Sequence, residues 1–167
     1  VNKNSKHIFD TSMKTDDSKI HFFSNSLINL SLSTFDTSEL EFNLQKTSND
    51  TYLKAYNLQS PLIKNDSTLD SYLNFQAYRD DLSVNSSIQV IEDLSQSSSD
   101  RYEFIFPSFE IIKNIDTDIK TNGNLSFKTT GYQKQYNTNL YEAKLVNSLI
   151  FNSNPIFSER GLKNNFN

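Results

Sequence analysis

The chain has no cysteine and no tryptophan, and only three glycines, three prolines, two histidines and one methionine among its 167 residues. Without cysteine there is no disulfide staple and no thiolate site. The two histidines, His7 and His21, stand too far apart in the pattern to suggest a metal site, and none is assigned. No apolar run approaches the ~18 residues of a transmembrane helix. The opening Val1-Asn2-Lys3-Asn4-Ser5 is not followed by the apolar segment of a signal peptide. Positive charge is in short supply too: 16 Lys and Arg against 20 Asp and Glu give a net charge of -4 and a pI near 5.1. With no basic stripe, a nucleic-acid partner is not expected. No Gly-x-Ser-x-Gly elbow supports a serine nucleophile, so neither a catalytic residue nor a cofactor is assigned and no enzyme is expected. The chain is expected to be an internal stretch of something longer, incomplete at both ends.

What is present is an alternation. Leu40, Phe42 and Leu44 interleave with Glu39, Glu41, Asn43 and Gln45, the period of a strand with one apolar and one polar face. The design recurs. Strands are expected at His7–Met13, Lys19–Ser33, Ser38–Thr47, Leu69–Tyr78, Leu82–Leu94, Tyr102–Lys113, Gly123–Tyr132 and Tyr141–Asn152. Asn and Ser make up about a quarter of the chain, well above ordinary usage, and with Asp they replace the missing Gly and Pro as turn formers. Asp36, Asn65-Asp66, Arg79-Asp80-Asp81, Asn122-Gly123 and Asn154-Pro155 mark expected turns. Pro107 cannot donate to a ladder, so it implies a bulge, a strand end or an edge. No stretch with helical period and caps is found. The expected fold is all-β, an antiparallel meander of about seven or eight strands.

Strand length adds a constraint. Globular strands usually run about 5–6 residues, whereas a membrane-spanning strand needs about 9–11. The strands at Lys19, Leu82 and Tyr141 look at least that long. Their off-face Ser, Asn, Thr, Gln and Lys suit a hydrated lumen, and the tyrosines (Tyr52, Tyr56, Tyr72, Tyr78, Tyr102, Tyr132, Tyr136, Tyr141) are expected at strand ends, as in an interfacial girdle. Leu40, Phe42, Leu44, Leu73, Phe75, Val84, Ile88, Val90, Leu145 and Leu149 should share one convex, lipid-facing side. An ordinary soluble β-sheet remains the alternative.

From about Asp17 onward the chain resembles the barrel domain of the LptD family, the LPS-assembly outer-membrane proteins also known as OstA-type organic solvent tolerance proteins. The resemblance rests on three elements. One is Thr47-Ser48-Asn49-Asp50-Thr51-Tyr52-Leu53-Lys54-Ala55-Tyr56 following an alternating strand; another is the Leu69–Tyr78 and Leu82–Leu94 hairpin. The third is the aromatic–Pro–aromatic strand Arg101-Tyr102-Glu103-Phe104-Ile105-Phe106-Pro107-Ser108-Phe109-Glu110, followed by a strand begun at Gly123. The resemblance implies an open, curved part of a large transmembrane β-barrel in the cell outer membrane, working in lipopolysaccharide insertion into the outer leaflet. It also implies an LptE-like lipoprotein plug, an LptA-like periplasmic bridge, lipopolysaccharide and outer-membrane lipid as partners. The family's periplasmic jelly-roll and the closing half of its barrel are not in this segment. Another outer-membrane barrel (porin or receptor) and a soluble adhesin-like β-domain are the competing functions.

Overall fold

Alternation of apolar and polar side chains over long stretches produces strands of 10 to 14 residues, β1 (Ser5–Lys14), β2 (Lys19–Asn29), β3 (Thr37–Thr47), β4 (Thr68–Arg79), β5 (Leu82–Asp93), β6 (Tyr102–Ile115), β7 (Gly123–Tyr136) and β8 (Tyr141–Ser153). They form one antiparallel sheet in sequence order, an open, curved meander. A short pair, β9 (Ile156–Phe157) and β10 (Lys163–Asn164), makes a separate two-stranded sheet. This computed structural model describes residues 5–15, 19–57, 60–97, 100–115, 123–136 and 139–154, together with the backbone of 156–157 and 163–164. No helix among them is long and apolar enough to cross a membrane.

Register fixes the faces, because a one-residue slip would turn every side chain over. Phe42 lies opposite Leu73 and Leu73 opposite Ile88; Leu40 lies opposite Phe75, and Ala77 opposite Val84. Further along, Val84 faces Ile111 and Phe127 faces Leu149. All ten residues expected on one side therefore share it. Phe42, Leu73 and Ile88 keep 40%, 36% and 40% of their surface exposed, so nothing described covers the middle of that face, whereas Leu69, in phase with Leu73, is buried at one end of it. Phe109 lies opposite Gly131 on this side, and a Cβ at Gly131 would come within 2.7 Å of the Phe109 ring. The ring lies where a side chain would otherwise be.

Pro107 produces the expected bulge: the register shifts between Ile105 and Ser108 against β7 and between Ser87 and Gln89 against β5. Three expectations need correcting. β2 stops at Asn29 instead of running to Ser33, because the Asn29 side chain accepts the Ser31 N–H at 2.9 Å and Ser31 adopts a left-handed φ of 49°. β7 runs on to Tyr136, past Tyr132. A one-turn helix, α1 (Tyr52–Tyr56), follows β3 where no helix is expected, ending at Asn57 with φ 42°. It is too short to show a period. The Asn122 and Pro155 turn positions lie outside the described residues.

The sheet splits at one end. The β3–β4 ladder runs from Thr37↔Tyr78 to Asn43↔Tyr72 and stops. Yet β3 continues to Thr47 on β2, and β4 reaches back to Thr68 on β5. Into this fork drop α1 and the connection after it. Phe23, Tyr52, Leu53, Leu69 and Leu94, with Leu62 and Ile63 against them, form the buried apolar cluster of the described residues. Burial of several such side chains, at ~1.5–3 kcal/mol each, holds this end.

Candidate functional site

The polar side of the sheet is concave. A hollow of about 630 Å³ lies on it, lined by Glu41, Asp70, Tyr72, Gln89, Tyr132 and Lys144 among others. A second hollow, about 390 Å³, adjoins it at the fork, between Asn25, Asn43, Gln45 and Lys64. The period of two that sends Leu73 to one side sends Tyr72 and Asn74 to the other.

The acids of this trough are held mostly by cross-strand donors. Glu41 accepts from Tyr72 Oη at 2.8 Å and Asn25 Nδ2 at 2.9 Å, and Asp70 accepts from Gln89 Nε2 at 2.8 Å. Towards β8 the acids pair with lysines: Glu110 with Lys128 at 2.6 Å and Glu103 with Lys134 at 2.7 Å. The Tyr132 hydroxyl donates to Glu142. Such a lining keeps side chains in fixed positions while presenting hydroxyls, amides and both signs of charge to water.

At the fork, side chains take over where the ladder ends. Asn43 Nδ2 donates to the Asp70 carbonyl at 2.6 Å, and Gln45 N–H donates to Ser71 Oγ at 3.0 Å. The Gln45 amide accepts from Asp70 N–H at 2.9 Å and donates to the Leu62 carbonyl at 2.7 Å. One glutamine therefore ties both leaves of the sheet to the connection between them.

Besides Gln45, the side chains of Ser12, Lys14 and Arg101 tie down the cap formed by α1 and the residues around it. Ser12 and Tyr52 share a hydroxyl hydrogen bond of 2.9 Å, and Ser12 Oγ lies 2.7 Å from His21 Nδ1. Lys14 donates to the Tyr56 hydroxyl at 2.8 Å. The third tie is Arg101, which grips Asp50 with two nitrogens at 2.8 and 2.5 Å and the buried Glu92 with two at 2.9 and 2.6 Å. Tyr102 and Lys46 complete the Glu92 shell, at 2.8 and 3.1 Å. A carboxylate 6% exposed is stable as an ion because it is so fully bonded.

The Arg101 guanidinium beside Asp50 holds that carboxyl below the usual aspartate range. With the folded value depressed, the tie contributes in full above the unfolded value of about 3.9 and is lost as pH falls through the lower folded value. Hydrogen-exchange protection of residues 51–57, corrected for intrinsic rates, should hold from about pH 7 to about pH 5 and fall below about pH 4. Asp50→Asn should already show weaker protection at neutral pH and lose that acid step. An acid step of the same size in Asp50→Asn would refute the assignment.

The two histidines stay apart. His7 is exposed on the apolar side, where its Nδ1 lies 2.9 Å from Ser26 Oγ, while His21 is 3% exposed under the cap, 3.4 Å from Asp10. Asp10, Ser12 and His21 form a polar knot that joins β1, β2 and α1. Arg79 and Asp81 pair within their turn at 2.7 Å, and Asp81 also holds Lys113 of β6. Among the tyrosines, Tyr72 and Tyr132 depart from expectation: they sit mid-strand on the concave side instead of in a girdle. Parity was the available signal, since Tyr72 is in phase with Asp70 and Asn74, not with Leu73. The fork left only a faint sequence signal: Leu44 and Gln45 continue the alternation of β3, and Lys46 breaks it by putting a charge where the apolar phase falls.

Comparison with protein-family models, curated proteins and solved structures finds no match.

Proposed function

We infer that this sheet is part of the wall of a large outer-membrane β-barrel of the lipopolysaccharide-assembly type, with a non-enzymatic role in delivering lipopolysaccharide to the outer leaflet. The observation that carries the wall reading is the sorting of faces over eight long strands. Over the middle of the sheet the convex side is largely apolar and uncovered, and the concave side is a polar trough. In water such an apolar face would be a liability; against hydrocarbon it is the stable arrangement. The sheet leaves its backbone edges for neighbouring strands, as a barrel requires.

The lipopolysaccharide role is supported by the resemblance carried by Thr47–Tyr56 and by the Tyr102–Glu110 strand with Pro107. On this reading an LptE-like lipoprotein occupies the lumen, an LptA-like bridge delivers from the periplasm, and the convex side meets outer-membrane lipid. A porin or receptor shares the wall but not the cargo.

The protein should be extracted from outer membranes only by detergent and should migrate differently on gels before and after heating. Its depletion should lower surface lipopolysaccharide and raise permeability to hydrophobic compounds. Dispersal without detergent would remove the membrane reading. Intact surface lipopolysaccharide with lost solute uptake would replace the assembly role by a porin.

A further inference from the structure

We propose that Asp10, His21 and Thr47 form a binding site for one divalent cation of the zinc class, held across β1, β2 and β3 beneath the cap. This goes beyond the barrel-wall reading and does not depend on it. Three observations around His21 point to it. First, the residue is 3% exposed and its Nε2 has no hydrogen-bond partner, a costly arrangement for a buried polar atom. Secondly, Nε2 lies 3.4 Å from Asp10 Oδ1. A charge-assisted N–H···O bond closes to about 2.7–2.9 Å. Two ligands of a tetrahedral zinc, each about 2.0–2.1 Å from the metal, stand about 3.3–3.4 Å from one another. The spacing is that of two donors sharing a cation. Thirdly, Thr47 is paired directly with His21 on the next strand, and its buried Oγ1 also has no partner. Directly paired residues have Cβ atoms about 4.5–5.5 Å apart, which lets a water on the cation reach the Thr47 hydroxyl.

The far side of the imidazole is already arranged for this role. Ser12 Oγ, 2.7 Å from Nδ1, takes the Nδ1–H and leaves the Nε2 lone pair as the donor. Ser12 is itself bonded to the Tyr52 hydroxyl at 2.9 Å. Asp10 brings the negative charge, and its side chain, 29% exposed, gives the cation an entry from solvent. No three His, Cys, Asp or Glu gather among the described residues. Water therefore completes the sphere, as it does wherever zinc keeps an open position. A bound cation ties β1 to β2 and, through Ser12 and Tyr52, braces the cap.

The scarcity of strong donors makes the test clean: with no cysteine and two histidines, His7 is the one competing imidazole. Untagged protein, folded in detergent or in buffer as its solubility dictates and stripped by a chelator, is titrated with Co²⁺ and then Zn²⁺. One Co²⁺ per chain is expected, with the intense visible bands of four-coordinate cobalt, and Zn²⁺ should displace it. Asp10→Asn, on the partly exposed side of the site, should weaken Zn²⁺ binding at least tenfold in a protein that keeps its β-sheet circular dichroism. Thr47→Val should weaken it severalfold, and His7→Gln should leave it unchanged. Zn²⁺ at about a hundredfold excess over its Kd should slow amide exchange at residues 20–22 and 51–55 on the order of tenfold, and should not do so in Asp10→Asn. Absence of stoichiometric binding by the folded protein overturns the site, as does the pale spectrum of six-coordinate cobalt. Binding that survives Asp10→Asn undiminished, or that is lost in His7→Gln, overturns it as well.

Discussion

Leu73→Arg should block assembly into the outer membrane, and Asn74→Arg, its immediate neighbour, should not. The two side chains leave opposite faces of the middle of β4. Leu73 stands in the apolar row Phe42–Leu73–Ile88; Asn74 lies opposite Glu41 and Ser87. Arg at the bilayer midplane costs about 2–4 kcal/mol, and a lumenal position accepts it at little cost. Next to Glu41 the new guanidinium even gains a partner. The fraction of heat-modifiable protein in outer-membrane extracts measures the difference directly. Equal behaviour of the two variants would end the lipid-facing assignment. A soluble sandwich would also reject Leu73→Arg, so detergent dependence of the parent protein is the necessary companion measurement.

Phe23→Ala is expected to destabilise the fork end by about 3–5 kcal/mol, the usual range for truncating a well-packed core phenylalanine. Phe23 is fully buried, packs on His21 with ring centroids 4.7 Å apart, and belongs to the cluster that seats the cap. Phe42→Ala is the control: it removes the same ring from the uncovered convex face, where 40% of the residue is exposed. In detergent, denaturant unfolding followed through the cap should show the large loss for Phe23→Ala and a clearly smaller one for Phe42→Ala. Similar losses would mean that the cap is not the packed core of this end.

The faces were legible because a period of two needs no knowledge of neighbours. Once Leu40, Phe42 and Leu44 are in phase, pairing carries the phase to Leu73, Val84 and Leu149. Strand ends were less so. Asn29 ends β2 through a side-chain bond to Ser31, a local competition that hydrophobicity does not register. The cap was illegible for a different reason. A single helical turn has no measurable period, and its stability comes from Phe23 and Leu69, which are distant in sequence. The trough was half legible: its amides and hydroxyls were expected to be lumenal, but Tyr72 and Tyr132 were assigned by residue type rather than by phase.

Every ladder of the main sheet joins strands adjacent in the sequence, from β1–β2 through β7–β8. The contact order per pairing is accordingly low, and only the β3–β4 join closes over a long loop. Such a sheet can be laid down hairpin by hairpin, each finished strand serving as template for the next. The nine residues Leu145–Ser153 of β8 contain no charge, proline or glycine to discourage pairing, and in the described residues β8 pairs with β7 alone. An edge of that composition is the place where a stalled chain would first recruit a wrong strand.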